Sequence, residues 1–245
     1  MSEGIAVVVQ CRMGSTRLPG KALLEIEGVP LLRRLCNRVA TARRTNLVVV
    51  ATSDRAADDQ IEGACRSWGV EIHRGPEADL IERFLGVVER YDLSAFVRVT
   101  GDNPLTDPVG IDELIAAFHN RKADLVHNKH LKGYPYGTGA ELITANALRR
   151  CSEMVHNTES REDFVTWMRK GMHGFQCESV SADPALVRPD YFLTVDYPED
   201  FELFVAIYRR FAFDDLIPLG AVIEFLDNHP RLLDVNRPLH TPFAE

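Results

Sequence analysis

Ala6-Val7-Val8-Val9-Gln10-Cys11-Arg12-Met13-Gly14-Ser15-Thr16-Arg17-Leu18-Pro19-Gly20-Lys21 is the stretch whose reading decides the fold. It opens as an uninterrupted valine-rich run, the pattern of a strand buried on both faces of a parallel sheet. The run breaks into a loop with Gly14, Pro19 and Gly20, hydroxyls at Ser15 and Thr16, and cations at Arg12, Arg17 and Lys21. Such a loop suits phosphate groups. Glycine lets the backbone approach, free amides and hydroxyls donate hydrogen bonds, and the cations offset negative charge. A loop arginine is ordinarily only solvated, but this loop lies at the carboxyl end of the first strand, where open α/β sheets bind ligands. It fits neither GxxxxGKS/T nor GxGxxG, so neither a P-loop nor a dinucleotide fingerprint is supported.

Outward from this stretch, strands and helices alternate. Leu31 to Val39 is periodic and helical, Asn46 to Thr52 an apolar strand, and Ala57 to Trp68 a helix that Ser53 or Asp54 is placed to cap. Val70 to Arg74, Asp79 to Tyr91 and Ala95 to Thr100 continue the pattern as strand, helix and strand, and Ile111 to Phe118 as a helix. Alternation of this kind means a mostly parallel sheet with helices on both faces. The character then changes. Short strands are expected at Ala123 to Asn128, Ala140 to Thr144 and Phe175 to Val180, around a turn-rich stretch holding Lys129, His130, Lys132 and Gly133 to Gly139. Asn146 to Cys151 and Arg161 to Met168 are expected as helices. Tyr191 to Val195 is expected as a strand, followed by helices at Phe201 to Phe211 and Leu219 to Leu226.

A chain of 245 residues with 45% hydrophobic and 26% charged residues is an ordinary globular enzyme in composition. The net charge of −8 argues against nucleic acid or an anionic membrane as partner. Five scattered cysteines without metal-ligand spacing are expected as reduced thiols in a cytoplasmic protein. The sequence starts without a basic leader, and no apolar run is long enough to span a bilayer.

Asp102 and Asp196 stand out among the acids, because each directly follows a predicted apolar strand. Both therefore belong at the carboxyl edge of the sheet beside the opening loop. A turn former before Asn103-Pro104 and a helix cap before Pro198-Glu199-Asp200 are the plain alternatives. Two acids at strand ends also supply what a nucleotide reaction needs, a hard divalent ion on phosphate oxygens.

Arg12-Met-Gly-Ser15-Thr-Arg17-Leu-Pro-Gly-Lys21 resembles the signature loop of the cytidylyltransferases that activate sugar acids such as Kdo and neuraminic acid, most closely their spore-coat-polysaccharide branch. Val99-Thr-Gly101-Asp102-Asn-Pro104 and Thr194-Val-Asp196-Tyr-Pro-Glu-Asp200 resemble the family's two metal-binding motifs, with Asn103 at a position often acidic in the Kdo branch. The resemblance implies a Rossmann-like nucleotide-diphospho-sugar transferase fold in one domain. Residues 1–119 would bind the nucleotide, 120–190 form an inserted acceptor and dimerisation region, and 191–245 close the site. It further implies transfer of CMP from CTP to an anionic acceptor with release of pyrophosphate, Mg²⁺ on Asp102 and Asp196, and a homodimer. Arg12, Arg17 and Lys21 are the expected catalytic cations. Gly14, Ser15, Thr16, Ala51, Thr52, Ser53 and Arg74 are expected at the nucleotide, and Asn128, Lys129, Tyr136, Glu141, Arg161 and Glu162 at the acceptor. Arg161-Glu162-Asp163-Phe-Val-Thr166 resembles a family segment with Asp163 in place of histidine. A metal-dependent glycosyltransferase of the same fold is the competing enzyme class; no DxD pair is present to support it. A non-catalytic nucleotide-binding protein would not need both acids.

Overall fold

The structure, a computed structural model, describes residues 4–120, 122–129, 134–170 and 173–241. Its centre is the valine run, β1 (Ile5–Gln10), paired in parallel with β4 (Val48–Ser53) on one side and β6 (Ala95–Thr100) on the other. β5 (Glu71–Gly75) pairs in parallel with the outer side of β4. Beyond β6 come β8 (Glu141–Thr144), β7 (Leu125–His127) and β9 (Cys177–Ser179), giving the order β5-β4-β1-β6-β8-β7-β9. β8 runs antiparallel to both its neighbours. The strand order reverses between β1 and β6, so the loops after these two strands flank a crevice, the usual place for a ligand in such sheets.

Helices cover both faces. α1 (Leu31–Val39), α2 (Asp59–Trp68) and α4 (Pro108–Asn120) pack residues such as Leu32, Ile61 and Ile111 against Val7, Val9 and Val97. α3 (Leu80–Arg90), α5 (Ala145–Met154) and α7 (Phe164–Arg169) cover Ala6, Val8 and Phe96 on the other face. Side chains of β1 alternate between two sealed cores, which is why its sequence is apolar throughout. A third core joins the hairpin β2 (Glu25–Ile26) and β3 (Val29–Pro30) to α8 (Pro198–Arg210) and α9 (Leu219–Asn228). Buried Arg34 and Arg38 on α1 fasten that layer, Arg34 donating to the carbonyls of Ile26 and Phe213, and Arg38 to those of Thr106 and Ile217.

The structure corrects three expectations. Tyr191 to Val195 is not a strand of the sheet: it makes one isolated bridge, Tyr136 to Phe192, and Val195 N–H reaches the carbonyl of Asp102 at 2.8 Å. Its apolar run reflects burial in the third core rather than a ladder. The helix expected over Arg161 to Met168 is two short ones, α6 (Thr158–Glu162) and α7, interrupted at Asp163. Neither Ser53 nor Asp54 caps α2; the Asp58 carboxylate instead accepts from Thr52 Oγ1, Ser53 N and Ser53 Oγ. His130, Lys132 and Gly133 lie outside the described residues. All five cysteines are free thiols, four of them buried, and burial pushes the Cys65 thiol up to about 12.

Candidate active site

The loop after β1 is shaped by its own short bonds and by one anchor. Ser15 N–H and Gly20 N–H both donate to the carbonyl of Met13, and Gly20 takes φ 71°, a conformation that favours glycine. Met13 N–H donates to Asp58 Oδ1 at 2.7 Å, tying the loop to the end of β4. The amides of Gly14, Thr16 and Arg17 donate to no group among the described residues. They line a cavity of about 290 Å³ together with Arg12, Lys21, Asp102 and Asp196. Here amides, hydroxyls and the cations of Arg12, Arg17, Lys21 and Arg83 face one space, a donor set suited to phosphates.

Lys21 is the hub. Its Nζ lies 2.7 Å from Asp102 Oδ2 and 2.9 Å from Asp196 Oδ1, so the two carboxylates converge on one point. Burial lowers the ammonium's pKa, but the two acids outweigh it and hold the group above its ordinary value. Asp196 Oδ1 also accepts from Arg17 Nη2 at 2.8 Å, and Arg17 stacks over the Tyr197 ring at 4.9 Å. Arg12 reaches across the cavity mouth to Glu162 at 3.1 Å. Asp102 is delivered by Gly101, whose missing Cβ would stand 3.0 Å from Cys11 Cβ and 3.1 Å from the carbonyl of Gln10. A side chain here would push β1 back by a few tenths of an ångström, so glycine lets β6 leave the sheet this close to β1.

A second cavity, of about 600 Å³, adjoins the first and shares with it Arg17, Thr100, Asp102 and Asp196. On its far side are Lys129, Tyr136, Glu141, Asp163, Arg169 and Lys170. Glu141 begins β8 and is buried; it takes Arg98 Nη1 at 3.0 Å and Lys129 Nζ at 3.1 Å. Burial pushes its carboxyl up, but the two cations together hold it below the usual carboxylate range. Desolvation lowers the Lys129 ammonium, only partly offset by Glu141. Two cations on one acid leave the wall of this cavity positive. Tyr136 is held beside the acids by the left-handed turn at Gly137 (φ 89°), where a Cβ would meet the carbonyl oxygen of Leu193 at 2.1 Å. Burial first, then Asp102 and Asp196, push its phenol up to about 12, so it stays a neutral donor.

Other expected site residues stand elsewhere. Arg74 does not reach either cavity; it binds Asp59, Glu62 and the carbonyls of Ser53 and Arg55 on the outer edge of the sheet. Its position at a strand end is right, but β5 is the edge strand, two strands away from the crevice. Arg161 is turned to Asp79 and the carbonyls of Ser152 and Val155, joining α6 to α3 and α5. Asn128 is buried as a brace between the carbonyl of Gly110 and the amide of Ala140. Ala51, Thr52 and Ser53 are buried behind the loop: the Ala51 carbonyl accepts Cys11 N–H, and Thr52 and Ser53 hold Asp58. Sequence reading passed over Arg83, Arg98 and Asp58, while Asp163, noted in place of the family's histidine, lines the second cavity. Arg83 lines the loop cavity and donates to the carbonyls of Pro76 and Glu77. A charge on the apolar face of α3, and another inside the β6 run, were the signals for Arg83 and Arg98.

The acids and Lys21 can be tested against a divalent ion. Two hard oxygen donors meeting at one cation position match Mg²⁺, which takes one or two carboxylates and fills its shell with substrate phosphates and water. No group of three or more metal-ligating side chains occurs among the described residues, so an ion held here would complete its shell with substrate oxygens and water.

A cation-rich loop and two acids at the reversal point of this parallel sheet define a nucleotidyltransferase. The family model described as cytidylyltransferase matches residues 6–169, and the chain belongs to that family. The spore coat polysaccharide biosynthesis protein SpsF of Bacillus subtilis is 32% identical over 232 residues, covering 92% of this chain and 95% of that protein. A 3-deoxy-manno-octulosonate cytidylyltransferase of Geobacter sulfurreducens is 40% identical over 114 residues, 46% of this chain and 44% of that one. The solved structure of a cytidylyltransferase from Leptospira borgpetersenii superposes with a TM-score of 0.88 at 26% identity, covering 98% and 99% of the two chains. The glycosyltransferase and non-catalytic alternatives fall with this membership. No described helix is long and apolar enough to cross a membrane.

Proposed function

We propose that the protein transfers CMP from CTP to a small anionic acceptor, a sugar acid, phosphate or phosphonate, with release of pyrophosphate, in surface-polysaccharide biosynthesis. The observation that carries this reading is that Asp102 and Asp196 stand on the wall common to both cavities, with the phosphate-type loop on one side and the positive, Tyr136-bearing pocket on the other. An acceptor oxygen in the second cavity attacks the α-phosphorus of a nucleotide in the first; the bond to the β-phosphate breaks and pyrophosphate departs. The protein's part is positioning and charge compensation. Arg12, Arg17 and Lys21 take the charge of the triphosphate and of the leaving pyrophosphate, and the free loop amides hold its oxygens. Asp102 and Asp196 would hold Mg²⁺, which supplies Lewis-acid polarisation of the phosphate oxygens. Lys21 must then exchange its two carboxylates for phosphate, since ammonium and metal cannot share that point. Lys129 and Tyr136 bind and orient the acceptor, and Glu141 sets the charge of that wall by holding Lys129 and Arg98. Pairing of two chains through residues 120–190, in the cytoplasm, completes the reading.

Pyrophosphate release from CTP with Mg²⁺ across a panel of sugar acids, sugar phosphates and phosphonates tests this. Turnover with one acceptor class, and weaker binding of ATP and GTP than of CTP, are the expected results. Equal use of ATP, or no release with any anionic acceptor, overturns it.

A further inference from the structure

Asp196 is not placed by the sheet. The backbone before it makes one isolated bridge, Tyr136 to Phe192, and the Asp102 carbonyl accepts from Val195 N–H and Thr194 Oγ1, so no strand ladder fixes the residue. Asp200, in the first turn of α8 and wholly buried, is that support. Its Oδ2 accepts the backbone N–H groups of Asp196 and Tyr197, both at 2.8 Å. Its Oδ1 is occupied from the other side, by Asn236 Nδ2 and His240 Nε2, again both at 2.8 Å. Asn236 is wholly buried and also donates to the carbonyl of Phe192 at 2.9 Å. The His240 ring stacks on Phe192 with centroids 4.7 Å apart and planes 11° from parallel, and meets the Tyr197 ring edge-on at 5.7 Å.

We propose that the segment Asn236 to His240 is a positioning element for the Asp196 carboxylate, acting through Asp200. Residues forty positions downstream thereby join the active site without touching substrate. A helix cap would explain Oδ2 alone, since a carboxylate in the first turn satisfies free amides there and suits the helix dipole. It does not explain why Oδ1 is turned into the protein and satisfied by two donors from the end of the chain. With both oxygens engaged the carboxylate cannot rotate, and the Asp196 and Tyr197 amides are held in one place. Arg17 then meets Asp196 and the Tyr197 ring together. Partners of this kind, one step behind a ligating group, commonly change metal affinity by ten- to a hundredfold when removed.

The inference rests on Asp196 being a metal ligand, and the experiment separates the two. The quantity measured is the factor by which Mn²⁺ tightens CTP binding, from calorimetric titrations with and without the ion, alongside melting curves. For His240→Ala we expect that factor to fall about tenfold, with metal-free CTP binding unchanged. His240→Gln, which keeps a side-chain N–H at similar reach, should recover most of it even though the ring stacking is gone. If Asp196→Asn leaves the factor at its wild-type value, the metal reading itself is wrong. If Asp196→Asn abolishes it while His240→Ala does not change it, the positioning role is wrong. If His240→Ala melts so early that it cannot be titrated, His240→Phe, which keeps the ring stacking and loses the N–H to Asp200, decides: a factor about tenfold down supports the role and a wild-type factor overturns it.

Discussion

Asp102 and Asp196 meet on the same lysine but are put there by different physics. Asp102 inherits its place from the sheet. β6 is paired with β1 along its full length, Gly101 N–H bonds the carbonyl of Gln10 at 2.7 Å, and the close approach at Gly101 leaves one path out of the strand. Asp196 leaves no strand. It is held by a buried carboxylate, by Lys21 and Arg17, and through Asp200 by the last described turns of the chain. The comparison teaches that one position is secured by a backbone ladder, which tolerates side-chain change, and the other by side chains, which do not.

The most damaging way to probe the pair is to remove its charges. Asp102→Asn and Asp196→Asn should each lower turnover on the order of 10³-fold, about 4 kcal/mol. The double variant should be scarcely worse than either single one, because both acids serve one ion. Pyrophosphate release reads the loss, and melting should show the difference in support: a smaller shift for Asp102→Asn, where only Lys21 loses a partner, than for Asp196→Asn, where Arg17 and Lys21 both do. Near-normal turnover in either variant would remove that residue from the site.

Breaking the hub itself comes next. Lys21→Met should cost about 10²-fold in turnover, as for loss of one preorganised charge-stabilising donor. In the absence of nucleotide the same variant should bind Mn²⁺ more tightly than wild type, because the competing ammonium is gone from between the acids. Weaker Mn²⁺ binding would mean that Lys21 organises the carboxylates rather than competing for them.

The acceptor side offers a stability test. Glu141→Gln leaves Arg98 and Lys129 in a buried wall without their acid and should destabilise the fold by about 3 kcal/mol. Because the native carboxyl is held below its ordinary value of 4.5, its contribution is present above that pH and is lost as pH falls through the native value. Melting temperature against pH should therefore drop below about pH 4.5 in wild type, and more shallowly in the glutamine variant. A parallel drop in both would assign the acid sensitivity to other carboxylates.

The smallest effect is expected at the far edge of the sheet. Arg74→Gln removes ion pairs to Asp59 and Glu62 at partly exposed positions, where solvent screens them, so melting should hardly shift. CTP binding should not change. A tenfold loss of CTP affinity would return Arg74 to the nucleotide and displace the assignment of the loop cavity.

Much of this was legible in the sequence because it is local. An apolar run long enough for both cores named β1, β4 and β6; helical periodicity named α1 to α3; and a strand ending in Gly101-Asp102 named the acid. The signature loop carried a donor set suited to phosphates in its residue types alone, and Gly20 marked the turn that Lys21 follows. These readings depend on neighbours a few residues apart, and the structure keeps them within a residue or two. Asp196 also was named, though for a reason that proved wrong, since an apolar run before an acid looks the same whether it pairs in a sheet or packs under a helix.

What only the tertiary structure decided is which strand ends share the crevice and which cations have other work. Arg74, at the end of an edge strand, and Arg17, in the central loop, are indistinguishable by type; the order β5-β4-β1-β6 separates them. Arg161 is spent on Asp79, eighty-two positions away, and Asn128 on bracing a loop. The meeting of two carboxylates on Lys21, and of Asp200 with His240, joins residues that no periodicity connects. Sequence patterns record which side chains must be buried and which turns the backbone must make. Partnership between charges is set by distance in space, and that distance exists only after the sheet has ordered its strands.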